Sequence, residues 1–582
     1  MGLEEFTGSE IVVESLKRQG VKTVFYYSGG AILPAGDSLG QSGIRLVSPL
    51  HEGIAILAAG GYARATGKVG VAIVTSGPGG ANCTTGIADA KLDSVPVVLM
   101  TGQVPTAVIG KDAFQETDMC GIMRNITKYD CLVKDVKDLA RTIKEAFYVA
   151  STGRPGPVEV DIPKDVQIAK TTPYFDEPMR LRGYKPEESY KPDKEALMKA
   201  ARAINEAKRP VLYVGGGVVI SGAEKALYKL ATKAGIPVTT TVMARQVFPD
   251  EHHLGLGMIG MHGTAYANYV VNESDLVIAV GARFDDRVTG DPTKFAPNSK
   301  KIHIDVDRAE INKNVPVDIA VIGDAKITLE KLCRMVDGHD RNGWVARINE
   351  LKNKEEYQLG YEPNGCIKPQ DAVKGILEAM PEKSVVVVGV GRHQMWAAQY
   401  FRRTNRRSFL SSSGLGTMGF CTPAAIGAQF GLMDIGDYKT QVVAIDGDGS
   451  FQQYPQALAT IREHKLPIKI FIIDDGHHGM VKQWQELIYG GRLTSSKIPK
   501  VEYASLGKAY GIEADVVEME NKQALRKSIY HAFQHKGPYL LDLKVYPHEM
   551  VLPMIPAGGS IGQMILKQPA WADSGFNQTG NI

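Results

Sequence analysis

Short, wholly apolar runs alternate with longer amphipathic stretches along most of the chain. VGVAIVTSGPGG, SVPVVLMTGQ and GPVEVDIP mark the first third, and RPVLYVGGGV, DLVIAVGAR and KIHIDVD the middle. KSVVVVGVG, QVVAIDGDG, IKIFIIDDG and YLLDLKV mark the last. Most of these runs are continuous in hydrophobicity rather than alternating, so both faces of those strands must be buried. That is the signature of parallel sheets covered by helices on both sides. Three such sets predict an α/β chain of three doubly wound parallel-sheet domains.

Composition breaks give the expected boundaries: domains over 1–170, 193–345 and 370–546, linkers over 171–192 and 346–369, and a tail over 547–582. The first linker, TTPYFDEPMRLRGYKPEESYKP, is rich in proline and charge and reads as extended. The tail, with LPMIPAGGSIGQ, reads as a cap rather than a domain.

The 582 residues carry a formal net charge of only +3, which gives no reason to expect nucleic acid or an anionic membrane as partner. No apolar run reaches membrane-spanning length. The six cysteines are scattered with no CxxC pair, which excludes the usual zinc and redox motifs and fits a reducing compartment. The opening MGLEEFTGSEIVVESLKRQG lacks a basic, then apolar, leader, so the expected address is the cytoplasm.

Two places carry candidate chemistry. In QVVAIDGDGSFQQYPQALATIREHKLPIKIFIIDDGHHGM, a buried strand ends at Gly447-Asp448-Gly449-Ser450 and a second at Asp474-Asp475. Glycines let an anion approach the backbone, and a following helix offers free N–H groups. Asp448 and Asp475 lie 27 residues apart, the length of one helix and one strand, so neighbouring strands would bring both oxygen donors together. Mg²⁺ uses such carboxylates with substrate phosphates. Alone, GDGS also reads as a capped turn. The second place is Glu52, in RLVSPLHEGIAILAAGGYARATGKVG. A Glu there is either a helix-start residue favoured by the helix dipole or a functional carboxylate.

Together these segments resemble the thiamine-diphosphate motif, which begins GDG and closes with two asparagines. GGAILPAGDSL, TSGPGGANCTTGIADA, DAFQETD, VGARFDDRVTG, HQMWAAQ, SSGLGTMGF and GMVKQWQELIYGGR narrow the resemblance, over nearly the whole chain, to acetohydroxyacid (acetolactate) synthase catalytic subunits. The resemblance implies pyrimidine-binding, central FAD-type and diphosphate-binding domains. It implies a homodimer or homotetramer, because two chains build each site, and leaves room for a regulatory small subunit. The activity implied is decarboxylation of pyruvate on thiamine diphosphate and transfer of the hydroxyethyl unit to a second pyruvate or 2-oxobutanoate, in branched-chain amino-acid biosynthesis. Glu52 would activate the cofactor by favouring its imino tautomer. Gly30, Phe114, Gln115 and Lys128 would line the reaction centre, Arg283 would meet the substrate carboxylate, and Met258 and Trp484 would shape the acceptor pocket. Thiamine diphosphate would be held by Val390, Gly391, Arg392, His393, Gln394, Gly416, Met418, Gly447, Asp448, Gly449, Ser450, Asp475, His477, Gly479 and Met480. Mg²⁺ would be held by Asp448, Asp475 and the His477 main chain. Structural FAD would use Gly215, Gly216, Gly217, Met261, His262, Gly263, Arg283, Asp285, Arg287 and Asp305.

The chain departs from the pattern at three kinds of position. Asp474-Asp475 replaces two asparagines, with Arg392 where a Gln is usual, and Arg392 is expected to offset the added charge. Gly53 follows Glu52 where Gln is usual, with Leu50 in place of a basic residue. Ser28 stands within YSGG, and Cys421-Thr422 within GFCTP. These departures leave two rivals open: another thiamine-dependent decarboxylase or carboligase with a different acceptor, and a catalytically silent paralogue.

Overall fold

The computed structural model describes residues 5–176, 178–179, 181–186, 190–354 and 365–568. It contains three six-stranded sheets, and every strand pairing within them is parallel. The first is ordered Arg45–Val47, Thr23–Tyr26, Gly70–Val74, Val97–Gln103, Val158–Pro163, Tyr129–Leu132. The last is ordered Phe409–Ser411, Ser384–Val388, Gln441–Gly447, Lys469–Asp474, Tyr539–Lys544, Glu513–Val517. Both reverse direction between their first and third strands in chain order. The middle sheet is Gly255–Met258, Val238–Thr240, Pro210–Val214, Leu276–Val280, Lys300–Asp305, Ile319–Ile322, and reverses between Pro210–Val214 and Leu276–Val280. Ligands of such sheets sit at the strand carboxyl ends where the order reverses. Those ends carry Gly389 to Gly391 and Gly447-Asp448 in the last domain, and Gly215 and Gly281 in the middle one.

The expected linkers are partly structured. Lys170–Thr171 pairs antiparallel with Phe6–Thr7, and Phe175, Leu181 and Tyr184 pack on the first domain's core. The break expected at 346 falls inside the helix Asn342–Lys352, whose Trp344, Ile348 and Leu351 are buried in the middle domain. Ile367 is buried in the last domain's core, and 355–364 lie outside the described residues. The tail is an ordered cap as far as it is described: the Ile555 N–H bonds to the Met261 carbonyl and the Asp291 N–H to the Gly559 carbonyl.

The first and last domains share one apolar core. The helices Glu52–Thr66 and Cys421–Asp434 lie so close that a Cβ on Gly61 would strike the Ala424 backbone, and one on Gly427 the Ala58 carbonyl. Glycine at these two places lets the helix backbones touch. That contact fixes the start of the helix bearing Glu52 relative to the diphosphate-type sheet.

Within the first sheet, a buried polar knot anchors the loop that carries Phe114 and Gln115. The Thr101 hydroxyl lies 2.6 Å from Glu159 Oε1 and 2.7 Å from Asp161 Oδ1. One hydroxyl proton serves one acceptor, so one of the carboxyls holds a proton and donates to the hydroxyl oxygen. Gln103 Nε2 then ties Asp161 Oδ2 and the Thr117 carbonyl, each at 2.8 Å. Burial pushes Asp161 up to about 7, and burial with the Asp161 charge pushes Glu159 up as well. Both protons are held more tightly folded than unfolded, where such carboxyls titrate near about 4. The stability they contribute is therefore complete below pH ~4; the Asp161 share is lost as pH rises through about 7, and the Glu159 share as pH rises through its own raised value. Glu159→Gln should raise the apparent melting temperature at alkaline pH, where the Glu159 carboxyl of the wild type is forced to ionise, by roughly 2–4 °C. The difference from wild type should disappear below pH ~4 in melts followed by circular dichroism.

Candidate active site

The strand Gln441–Gly447 lies beside Lys469–Asp474 with Gly447 opposite Ile473, so both strands end at the same level. This brings Asp448 to the turn after Asp474. Asp448 is 3% exposed, and its carboxylate accepts the Gly449 N–H at 2.9 Å and the Gly476 N–H at 2.8 Å. Burial, then the neighbouring Asp475 and Asp474 carboxylates, push Asp448 well above the usual carboxylate range. A site with this tension favours a cation. Gly447 and Gly449 are glycine for steric reasons: added Cβ atoms would lie 2.7 Å from His393 Nδ1 and 2.6 Å from His478 Nδ1.

A cavity over these strand ends is lined by Val390, Gly391, Arg392, His393, Gln394, Gly416, Met418, Gly447, Asp448, Gly449, Ser450, Asp475, His477, Gly479 and Met480, with Met258, Met261, His262, Asp285, Arg287 and Trp484 on its other walls. Residues that sequence reasoning passed over also line it: Ser412 to Leu415, Asp286, Val288, His478 and Val481. The loop 412–418 is held by a charge cluster from the first domain. Buried Arg64 pairs with Asp89 at 2.7 Å and Asp93 at 2.9 Å, and Asp93 accepts the Ser413 and Gly414 N–H groups at 3.0 and 2.8 Å. SSGLGTMGF marks this loop in sequence only through the resemblance, and the fold shows its anchor.

Arg392 and Asp475 meet as a buried ion pair at 2.6 Å, their side chains 1% and 8% exposed. Arg392 also donates to the Glu549 carbonyl at 2.6 Å and the Pro547 carbonyl at 3.1 Å. Its guanidinium occupies the space where a Cβ on Gly479 would be.

A second cavity lies at the reversal point of the middle sheet, lined by Gly215, Gly216, Gly217, Arg283, Asp285, Arg287 and Asp305. Cβ atoms on Gly215 and Gly217 would collide with the strand end at Gly281 and Ala282, so the glycine run reflects close strand packing as well as ligand access. Asp305 ends the strand Lys300–Asp305, and burial pushes its carboxyl up to about 6. Met261 and His262 line the first cavity instead, and burial lowers His262 to about 4. Gly263 lines neither cavity; its Cβ would strike the Met258 and Ile259 backbone. The cavities adjoin, sharing Val242, Asp285, Arg287, Val288, Ser413 and Gly414.

Arg283 lies only in the middle-domain cavity and pairs with Asp285 at 2.8 Å, whereas Arg287 borders both cavities. Glu52, at the start of its helix and 8% exposed, accepts the Asn82 amide at 3.0 Å. Glu52, Gly30, Phe114, Gln115 and Lys128 line neither cavity. Gly30 is exposed, Phe114 is 88% exposed, and Gln115 holds a left-handed backbone at φ 62°. Lys128 turns away to the Val149 and Thr152 carbonyls, and burial lowers it to about 8. The departure at Gly53 has a steric cause: a Cβ there would run into the Tyr454 hydroxyl.

The chain matches the thiamine pyrophosphate (thiamine diphosphate) enzyme N-terminal TPP binding domain over 6–122, the central domain over 197–332 and the C-terminal TPP binding domain over 389–543. It is 45% identical to acetolactate synthase 3, chloroplastic, of Brassica napus over 575 residues, covering 96% of this chain and 86% of that one. It is 43% identical to the probable acetolactate synthase large subunit of Methanocaldococcus jannaschii over 571 residues, covering 96% and 95%. The chain belongs to the acetolactate synthase family of thiamine pyrophosphate enzymes. The strand ends beneath the cavity over Asp448 lie in the segment matched to the C-terminal TPP binding domain, and the walls formed by Met258, Met261, His262 and Arg287 lie in the segment matched to the central domain.

Because overpacking typically costs about 1–3 kcal/mol, Gly447→Ala should weaken thiamine diphosphate binding by about tenfold by displacing the His393 ring. Titration followed by tryptophan fluorescence, with far-ultraviolet circular dichroism unchanged, checks this.

Proposed function

We propose that this chain condenses two 2-oxo acids: it decarboxylates pyruvate and joins the two-carbon unit to a second pyruvate or to 2-oxobutanoate. The observation that carries this reading is the cavity over Gly447-Asp448-Gly449-Ser450 and Asp475, walled by Met480 and Trp484, in a chain similar to acetolactate synthases along 96% of its length. Bound there, thiamine diphosphate supplies the electron sink for decarboxylation and carbon–carbon bond formation.

The chain's own residues have the following tasks. Asp448, Asp475 and the His477 main chain would hold Mg²⁺. Among the described residues no group of three or more His, Cys, Asp or Glu side chains could hold a metal. Mg²⁺ bound with a diphosphate needs only one or two carboxylates from the protein. The raised proton affinity of Asp448 supports a cation at this point. Glu52 would hold the proton relay at the aminopyrimidine. Since Glu52, Gly30, Phe114 and Gln115 line neither cavity, each site would be completed by a second copy, and exposed Leu33, Leu50 and Phe114 supply apolar surface for that contact. The carboxylate of the 2-oxo acid would meet Arg287 rather than Arg283, because Arg287 borders the thiamine cavity and Arg283 does not. FAD would occupy the middle-domain cavity, with Asp305 at the strand end where such folds place an acid for a ribose hydroxyl. A smaller companion chain belongs to the same reading, supported by the words "large subunit" in the archaeal relative's name. Among the described residues no helix is long and apolar enough to cross a membrane.

Purified protein given pyruvate, thiamine diphosphate and Mg²⁺ should release CO₂ and form acetolactate; acetaldehyde without acetolactate would favour a simple decarboxylase. Glu52→Gln should lower kcat by about 10²–10⁴-fold while leaving diphosphate-dependent fluorescence quenching in place. Arg287→Lys should raise KM for pyruvate by about tenfold or more through loss of the bidentate fork. Arg283→Lys should leave that KM within about threefold. A yellow protein as purified, bleached by removal of the flavin, checks the middle-domain assignment.

A further inference from the structure

Two carboxylates, Asp448 and Asp475, line the thiamine cavity, and a third, Asp474, neighbours Asp448. Asp474 and Asp475 each have their own cation. Asp475 Oδ2 meets Arg392 Nη2 at 2.6 Å, and its Oδ1 accepts the His477 N–H at 2.9 Å. Asp474 is paired with Lys544, whose ammonium also meets Asp542 at 3.0 Å. The next cation, Lys482, is matched separately by Glu486 at 2.8 Å. Of the histidines around the site, His477 Nδ1 lies 2.8 Å from the Asp475 carbonyl and His393 lies 3.6 Å from Asp446, while His393 Nε2 and His478 Nδ1 have no hydrogen-bond partner among the described residues.

Arg392 is not a surface residue that happens to reach Asp475. It opens the helix Arg392–Tyr400, is almost fully buried, and fills the space over Gly479. Two of its donors go to tail carbonyls, while its Nε has no partner. Removing either member of a buried pair strands the other charge, whereas replacing both by neutral groups of similar shape is tolerated.

We propose that Arg392 is a positioning residue for the diphosphate: it neutralises Asp475, so that of the two facing carboxylates only Asp448 presents uncompensated charge to the metal and the diphosphate. This rests on the assignment of the cavity to thiamine diphosphate. Without Arg392, Asp475 would repel the diphosphate. Without Asp475, the guanidinium would be free to attract it, and binding would lean less on Mg²⁺.

The test is a double-mutant cycle on the full-length protein, reading thiamine diphosphate affinity by tryptophan fluorescence and calorimetry, with Mg²⁺ and with chelator. Arg392→Gln is expected to weaken binding about tenfold or more. Asp475→Asn is expected to shrink the ratio of affinities with and without Mg²⁺ by about tenfold. The double variant R392Q/D475N should return to within about threefold of wild type. Arg392→Lys, which keeps the charge, should recover most of the affinity lost in R392Q. Unchanged affinity in R392Q, or a double variant showing the simple sum of the two single effects, overturns the proposal. So does a cycle coupled in melting temperature but not in affinity, which would make the pair purely structural. A wild-type protein that binds no thiamine diphosphate under either condition would instead refute the cavity assignment itself.

Discussion

The close approach of the helices Glu52–Thr66 and Cys421–Asp434 is the contact on which the arrangement of the first and last domains within one chain depends. Gly61 and Gly427 remove the Cβ atoms that would hold the two backbones apart, and the small residues between them merge two domain cores into one. A helix start is a poor place for precision if its helix can slide. Here sliding is blocked by backbone-to-backbone packing, because an interior this dense has no compressible space. The Arg64 cluster with Asp89 and Asp93 then carries the same constraint to the loop 412–418, which lines the cavity.

Against that rigid frame, the electrostatics of the site concern neighbouring charges in a low-dielectric pocket. Burial strengthens each pairing and equally penalises each charge left alone. The placement of Arg392 and Lys544 beside Asp475 and Asp474 follows from this rule, since neither half-buried acid sits close to Asp448 without a cation of its own. Their pairing supports a working site rather than the silent paralogue that the two-aspartate departure suggested. The Glu159–Asp161 pair shows the other solution: with no cation within reach of their hydrogen-bonded knot, the carboxyls share protons through Thr101.

Much of this was readable from residue order. Parallel strands buried on both faces must be continuously apolar, so the runs around VVVVGVG, VVAIDGDG and KIFIIDDG marked the last sheet. Asp448 and Asp475 could be joined because one helix-and-strand length separates residues that neighbouring parallel strands bring together. Which arginine borders the cavity over Asp448 was less readable. GARFDDR offers two guanidiniums four residues apart, and which one reaches a cavity depends on the short helix Asp286–Thr289 and on walls from another domain. Lys128 reads as a catalytic candidate by motif, yet the carbonyls of Val149 and Thr152 take up its ammonium.

By itself, the sequence determined the elements and the three-sheet architecture, since these follow from local periodicity and turn residues, and spacing along one strand–helix–strand unit placed Asp448 near Asp475. Tertiary structure alone decided that Gly53 faces Tyr454, that Arg287 rather than Arg283 borders the thiamine cavity, and that Arg392 and Lys544 neutralise the paired aspartates. Those outcomes rest on distances between segments tens to hundreds of residues apart. No local pattern encodes such distances, because they are set by how the helices and sheets pack on one another.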